Sequence, residues 1–263
     1  MSRRASISPS DDDRWVFNRL AGDYRHRPPY PVPLVERLLE LAGGPGARVA
    51  DLGAGTGHLA LPLARRGAQV AAVEPARAML AALTAEGVTG VEPVHATAED
   101  SGLPSGAFDL AVLADALHWV DPERAGREAA RLLAPGGVLA VVTPRLADTP
   151  FLRALGGRIA EANFKARPGP PPVALLFSVA GLGAPAEARF ADEVSLAPGA
   201  LDAVIRSLSY VGPALGPASL STLLADARAL AATHGGAAWR REIALAWTRS
   251  AGGTSARGER PMS

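Results

Sequence analysis

The chain has 263 residues, of which 48% are hydrophobic and 20% are charged, and its 27 Lys and Arg nearly balance its 26 Asp and Glu. A net charge of +1 excludes the strongly basic surface with which proteins attract nucleic acid or an anionic membrane. The absence of cysteine excludes disulfides, thiolate metal sites and a cysteine nucleophile.

The N-terminal part of the chain carries local signals but no sheet pattern. Residues 1–12 are polar, lack the apolar core of a signal peptide and are predicted to be a disordered tail. A short helix is predicted within 13–24, and the prolines of 25–31 then impose extended or turn backbone. Helical apolar spacing follows from Val32 to Leu41 and ends at the glycines of 43–46. No apolar stretch reaches membrane-spanning length, which favours a cytoplasmic protein without membrane partners.

Short apolar runs alternate with helical segments five times between residues 47 and 144. Such alternation predicts a doubly wound sheet of parallel strands. The predicted strands are 47–53, 69–75, 91–97, 108–114 and 137–144, and the predicted helices run to about Arg66 and over 76–87 and 121–137.

The pattern changes after residue 144. Residues 145–185 are first helical and then rich in proline, and we interpret them as an insertion that covers the C-terminal edge of the sheet. Two alternating runs, 188–196 and 237–250, add strands, and helices are predicted over 200–211 and 217–233. The predicted fold is therefore α/β, with a doubly wound, mixed, seven-stranded Rossmann-like sheet and a helical lid. One domain is predicted over 13–250, followed by a disordered tail over 251–263.

A glycine-rich turn follows the first predicted strand, with glycines at positions 53, 55 and 57. Glycine permits positive φ and lets a ligand approach bare backbone, and the helix that follows offers unpaired N–H groups. The dinucleotide pattern G-x-G-x-x-G would require glycine at position 58, where the chain has His58. Asp51 also lies inside the turn, where it would repel a pyrophosphate, whereas a ligand with a cationic head would be tolerated.

This turn resembles motif I of the class I S-adenosylmethionine (SAM)-dependent methyltransferases, (V/L)-(L/A)-D-x-G-x-G-x-G. The resemblance implies SAM as the cofactor and S-adenosylhomocysteine (SAH) as its product. Its implied cofactor-binding residues in the turn are Asp51, Gly53, Ala54, Gly55 and Gly57.

Two further segments resemble the parts of these methyltransferases that bind the nucleoside of SAM. Glu74 and Pro75 end the second predicted strand, about 20 residues past the turn, where a carboxylate accepts hydrogen bonds from ribose hydroxyls. A helix-capping glutamate is the alternative for Glu74. Thr97, Ala98 and Glu99 resemble the family's G-x-A-E segment beside the adenine, with Ala96 in place of the usual glycine. A solvated loop charge is the alternative for Glu99.

The end of the fourth predicted strand resembles the A-x-A-x-H-W signature of a subgroup that methylates small molecules. It reads Ala114 to Trp119 here, with Asp115 where the subgroup more often has glutamine. The same subgroup tends to carry R-P-x-Y-P, present at 27–31, and its C-terminal region resembles SLSYV at 207–211. The likeness covers roughly residues 14–250.

Methyl transfer from a sulfonium mainly requires alignment of the acceptor, and a base contributes where the acceptor must lose a proton. His118 and Asp115 are the catalytic candidates. A pocket-wall role for His118 and contact between Asp115 and the SAM amino group are the alternatives. Tyr24 and Arg27 are further cofactor candidates. The substrate candidates are His26, Trp119, Arg145 and Tyr210, with Arg153, Phe151, Phe164 and Phe177 as residues that either line the same pocket or belong to the core.

Other chemistries lack their motifs. The five histidines show no paired metal-binding spacing, and neither a G-x-S-x-G elbow nor a P-loop is present. Arg65, Arg66, Arg240 and Arg241 are expected on the solvated surface.

We therefore interpret the chain as a SAM-dependent methyltransferase of a small-molecule acceptor, as a monomer or homodimer, and the resemblance suggests natural-product metabolism. A SAM-fold protein that catalyses a non-methylating rearrangement or cyclisation, or that only binds the cofactor, is the alternative. A nicotinamide oxidoreductase is a third hypothesis, and His58 disfavours it.

Overall fold

The structure is a computed structural model, and it describes residues 16–163 and 170–251. The strands are β1 (Arg48–Leu52), β2 (Gln69–Val73), β3 (Val91–Val94), β4 (Phe108–Ala114), β5 (Leu133–Leu146), β6 (Ala186–Leu196) and β7 (Ala237–Arg249). The helices are α1 (Ala21–Tyr24), α2 (Val32–Ala42), α3 (Ala60–Ala64), α4 (Arg77–Ala85), α5 (Pro122–Leu132), α6 (Pro150–Ala162), α7 (Val173–Val179), α8 (Pro198–Arg206) and α9 (Pro217–Thr233), with 3₁₀ turns at Val16–Arg19 and Leu117–Trp119.

The seven strands form one sheet in the order β3-β2-β1-β4-β5-β7-β6. Strands β1 to β5 pair in parallel, and β7 lies antiparallel between β5 and β6. The predicted mixed seven-stranded sheet is therefore confirmed. The chain steps from β1 outward to β3 and then returns to β4 on the other side of β1. This reversal opens a crevice at the C-terminal ends of β1 and β4, where α/β proteins bind their ligands.

Helices cover both faces of the sheet because its central strands are apolar on both sides. Within β1 all four residues after Arg48 are buried, as the prediction of a central parallel strand requires. Helices α2, α3 and α4 pack on one face, and α5 and α7 pack on the other. A separate apolar cluster joins α6, α8 and α9 to the start of β7.

Local signals begin and end these helices. The Asp121 side chain accepts hydrogen bonds from the N–H groups of Glu123 and Arg124, with Pro122 at the first helical position of α5. At the end of α2, Gly43 has a φ of +103°, and its N–H donates to the carbonyl of Glu40. A glycine is favoured there because this left-handed conformation strains other residues.

Several predicted boundaries shift by a few residues. Strand β5 runs on to Leu146 because it pairs with β7 as far as Arg241, so the predicted insertion begins on a strand. The segment predicted as one helix within 13–24 contains a 3₁₀ turn and α1. The predicted tails, 1–12 and all but the first residue of 251–263, lie outside the described residues. Among the described helices, none has the length and apolar character that crossing a bilayer requires.

Candidate active site

The turn after β1 packs directly on the loop after β4. The N–H groups of Gly53 and Ala54 both donate to the carbonyl of Val73, at 2.9 and 3.0 Å. Gly53 has a φ of +85°, and a Cβ there would lie 2.7 Å from the Cβ of Ala116. Glycine is therefore required at position 53 for both its backbone conformation and its contact.

Of the other residues of the turn, Gly55 lines the groove, whereas Ala54 and Gly57 pack behind the turn. Gly55, with a φ of +57°, lines the groove at the strand ends, where a Cβ would meet only the Tyr24 ring, at 3.7 Å. A Cβ on Gly57 would instead lie 2.8 Å from Cγ of Leu61, so that glycine serves packing. Ala54 is buried in the core on the side of α2 and α3. The predicted binding residues Ala54 and Gly57 thus support the turn from behind the groove.

Glu74 shapes the turn from the neighbouring strand. Its Oε2 accepts a hydrogen bond from the N–H of Gly55 at 2.9 Å, and its Oε1 accepts one from Ala76 at 2.8 Å. Burial raises the pKa of Glu74, while these two hydrogen bonds lower it. The second contact reaches the residue before α4, so this carboxylate caps a helix and lines the groove at once.

The predicted nucleoside-binding segments form the remaining walls of the groove. Glu99 also accepts a hydrogen bond from the Asp121 N–H at 2.9 Å, which ties the loop after β3 to the start of α5. The residues lining this groove include the predicted Tyr24, Gly53, Gly55, Glu74, Pro75, Thr97, Ala98, Glu99, Asp115 and Trp119.

Asp51 lies on β1, behind the turn, and is 1% exposed. Within the described residues neither of its carboxylate oxygens has a hydrogen-bond partner. Burial, together with the charge of Glu74, raises its pKa to about 7, although the nearby backbone N–H of Ala60 opposes this rise. A buried carboxylate without a partner costs free energy unless a cation or a donor approaches it. Asp51 does not line the groove, but its buried negative charge favours a ligand with a cationic head, such as SAM, near the turn over a pyrophosphate.

An N-terminal lid, residues 16–31, covers the groove. The ring of Phe17 meets Trp119 edge-on at 4.9 Å, and the Tyr24 ring meets His58 at 5.6 Å. His58 Nε2 donates to the carbonyl of Arg27 at 3.0 Å, so Nδ1 is free to accept from the Thr56 hydroxyl. Burial lowers the pKa of His58 to about 4, which keeps the ring neutral. His58 thus fastens the lid to the glycine turn.

Arg27 has partners on three sides. It donates to the Ser207 hydroxyl at 2.9 Å and the Ser207 carbonyl at 3.0 Å, and its Nη1 lies 3.4 Å from Oδ2 of Asp115. The guanidinium also lies 4.1 Å over the Tyr24 ring. Arg27 does not line the nucleoside groove but a neighbouring, larger cavity, so its predicted cofactor contact would have to come from that side.

Arg241 corrects an expectation of the sequence analysis. It is buried, not solvated, and pairs with Asp192 across β6 and β7. It also donates to the carbonyls of Pro28, at 2.9 Å, and Pro29, at 2.6 Å. The sequence offered no signal for this role, since its partners are 49 and more than 200 residues away.

The larger cavity, of about 610 Å³, adjoins the groove and shares Phe17, Tyr24, Asp115, Ala116 and Trp119 with it. That volume falls within the range of about 300–1,000 Å³ that is typical of small-molecule sites. All three tyrosines of the chain line this cavity. Of the predicted site residues it contains Tyr24, Arg27, Asp115, His118, Trp119, Arg145 and Tyr210.

His118 and Asp115 lie together where the groove and cavity meet. Asp115 has a φ of +53°, and among the described residues no other non-glycine has positive φ. Its pKa is raised by burial, against the opposing charges of Arg27 and His118. Burial lowers the pKa of His118, and Asp115 opposes that effect. Within the described residues no hydrogen-bond partner meets either ring nitrogen of His118, which leaves this neutral ring free to accept a proton.

Several other predicted residues lie elsewhere. His26 is exposed and lines neither pocket. Phe151 and Phe177 belong to the core, and Arg153 forms an exposed ion pair with Asp148. Phe164 lies outside the described residues. Across the described ranges, no three His, Asp or Glu side chains gather as ligands for a metal.

Comparisons with known proteins agree with this geometry. A family model described as a methyltransferase domain matches residues 50–141. Rv3342, an uncharacterised methyltransferase of Mycobacterium tuberculosis, is 43% identical over 127 residues, which are 48% of this chain and 51% of that protein. The chain thus spans about half the length of the curated relatives it matches.

Two solved structures extend the likeness over most of the chain. A candidate type II methyltransferase from Anaeromyxobacter dehalogenans has a TM-score of 0.56 and 25% identity, over 86% of this chain and 97% of that chain. SpnF, a [4+2]-cyclase, has a TM-score of 0.54 and 21% identity, over 92% of this chain and 94% of that chain, and this likeness concerns the fold alone.

The family match covers most of the site. Residues 50–141, which contain the glycine turn, Glu74, Asp115 and His118, are similar to a methyltransferase domain. This similarity agrees with the predicted class of enzyme over that segment.

Proposed function

We propose that the protein transfers a methyl group from SAM to a small-molecule acceptor bound in the 610 Å³ cavity. The observation that carries the proposal is the continuity of that cavity with the glycine-lined groove at Asp115 and Ala116. An acceptor in the cavity would therefore face a cofactor in the groove across this shared wall. SAM supplies an electrophilic methyl group on a sulfonium, with a good leaving group already in place.

The residues of this chain would supply binding, orientation and one proton acceptor. The glycine turn and Glu74 would hold the nucleoside, with Thr97, Ala98 and Glu99 beside the base. The lid contacts the site through the edge-on packing of Phe17 on Trp119. Holding the two reactants in line is worth about 7–11 kcal/mol in favourable cases, so orientation is the main contribution we assign to the protein.

We assign the role of general base to His118. Its ring lies in the cavity, is neutral because burial lowers its pKa, and has no hydrogen-bond partner among the described residues. Asp115 would stabilise the imidazolium that forms when the acceptor loses its proton. An acceptor that is already ionised would not need this step.

Methyl transfer is tested by incubating the protein with SAM carrying a deuterated methyl group and a library of small ring compounds. We expect SAH release together with an acceptor heavier by one labelled methyl group. Glu74→Gln should strongly reduce both, because the carboxylate accepts one backbone N–H on each oxygen and the NH₂ of glutamine cannot replace one of these acceptors. SAM binding without SAH release would instead favour the non-methylating alternative. A natural-product substrate is suggested by the sequence resemblance alone.

The role of His118 is tested with His118→Asn. We expect kcat to fall about 10²–10⁴-fold and the fall in wild-type kcat/KM below pH 6.5 to disappear, because a general base works only in its unprotonated form. His234→Asn is the matched control, since His234 is exposed at the end of α9 and outside both pockets. A loss of less than tenfold with an unchanged pH profile would assign His118 to the cavity wall.

A further inference from the structure

The lining of the larger cavity is more aromatic than the chain as a whole. Only 5% of the residues are aromatic, yet Phe17, Trp119 and Trp239 line the cavity together with all three tyrosines. Burial raises the pKa of Tyr24 and Tyr30, so both hydroxyls remain protonated and able to donate hydrogen bonds. Such walls favour a flat, ring-bearing ligand.

One positively charged residue of the cavity lining forms no ion pair among the described residues. Arg27 faces Asp115 at 3.4 Å, and Arg241 pairs with Asp192. Arg145 also lines the cavity and forms no ion pair in the part of the chain that the structure describes. Its cross-strand neighbour on β7 is Glu242, which does not line the cavity.

Strand β5 sets the distance between this cation and the reaction centre. The carbonyl of Val142 accepts the N–H of Asp115 at 2.9 Å, which places Val142 beside the shared wall. Arg145 follows three residues later, and at about 3.3 Å per residue it lies about 10 Å farther along the strand. The backbone of Arg145 is thus about the length of one ring and a short chain from the shared wall.

We propose that the acceptor is a ring-bearing acid, with its anionic group at Arg145 and its ring between the aromatic walls. This inference rests on the proposed function, because it assigns the cavity to the acceptor. Arg145 is an exposed residue at the wall of the cavity. Its guanidinium prefers a carboxylate over a neutral group of the same shape, because hydrogen bonds to a charged partner are the stronger ones.

The test is calorimetric and needs no turnover. A panel of ring acids, including benzoate, 4-hydroxycinnamate and 2-naphthoate, is titrated into the protein with and without SAH, each beside its neutral amide. We expect at least one acid to bind about tenfold or more tightly than its amide, the ratio that a charge-assisted hydrogen bond supplies. Arg145→Gln should reduce that ratio to about threefold or less.

Arg153→Gln is the matched control, since Arg153 is exposed, pairs with Asp148 and does not line the cavity. Equal binding of every acid and its amide, or a preference that survives in Arg145→Gln, would overturn the inference. SAH binding measured on the same samples separates the two claims. If SAH binds but no acid is preferred, this inference alone fails. If an Arg145-dependent acid preference persists without SAH binding, the proposed function fails instead.

Discussion

At the scale of single residues, the buried carboxylate of Asp51 lowers the free energy of unfolding at neutral pH. Its carboxylate is buried without a hydrogen-bond partner among the described residues, and its pKa is about 7 instead of 3.8. The folded state therefore holds the Asp51 proton more tightly than the unfolded chain does. By linkage, this group lowers the free energy of unfolding as pH rises from about 4 to about 7, and not beyond.

Asp51→Asn should remove that loss. We expect the variant to match the wild type near pH 4 and to be more stable above pH 7, by at most about 4 kcal/mol, since each pKa unit corresponds to about 1.36 kcal/mol. Urea denaturation at pH 4, 5.5, 7 and 8 measures the difference. A difference that is constant across this range would show that Asp51 is ionised in the folded protein throughout.

Single residues also mark the limit of what the sequence predicts. Gly53, Gly55 and Glu74 could be assigned because a short motif fixes their place relative to strand ends. The role of Arg241 could not, because an arginine in an alternating strand gives no sign of partners brought close only by the fold.

At the scale of elements, the lid depends on the last two strands. Arg241 on β7 holds the carbonyls of Pro28 and Pro29, and Asp192 on β6 holds Arg241. A proline residue has a carbonyl acceptor but no N–H donor. The carbonyls of the lid prolines are therefore held by donors from outside the lid, such as Arg241. These contacts hold the preceding residue, Arg27, where its side chain donates to Ser207 and Asp115.

Arg241→Met should therefore loosen the lid. We expect the free energy of unfolding to fall by about 3–5 kcal/mol, since a buried carboxylate loses its partner, and amide exchange to accelerate over residues 24–31. Arg240→Met is the matched control, because Arg240 is the preceding residue on the same strand and its ion pair with Glu193 is exposed. That control should change stability by less than about 0.5 kcal/mol. Equal effects of the two substitutions would assign no special role to Arg241.

The elements themselves were largely predictable. The existence of the first five strands follows from apolar runs that alternate with helical segments, and β4 has the predicted bounds. The antiparallel insertion of β7 between β5 and β6 joins distant segments, so the alternation of residues could indicate a strand but not its neighbours.

At the scale of the whole molecule, three parts of the chain meet at the C-terminal ends of the parallel strands. The segment that matches the methyltransferase-domain model supplies most of the groove, the N-terminal lid lies over it, and the C-terminal helices and strands hold the lid in place. Besides the contacts of Arg27, Arg206 on α8 pairs with Asp23 at 3.0 Å. The larger cavity, which we propose holds the acceptor, lies between these parts, so its shape depends on segments well outside the family match.

The central claim is that SAM binds on the bare backbone of Gly55, and calorimetry with SAM on a matched pair of variants tests it most directly. Gly55→Ala and Gly106→Ala place alanine at nearly equal φ, +57° and +64°, but only Gly55 lines the groove. Both should lose about 1–2 kcal/mol of stability from the left-handed conformation. We predict that Gly106→Ala binds SAM within about twofold of the wild type and that Gly55→Ala binds it at least tenfold more weakly, a difference of about 1.4 kcal/mol or more. Undiminished binding in Gly55→Ala, or no binding in the wild type, would contradict the claim.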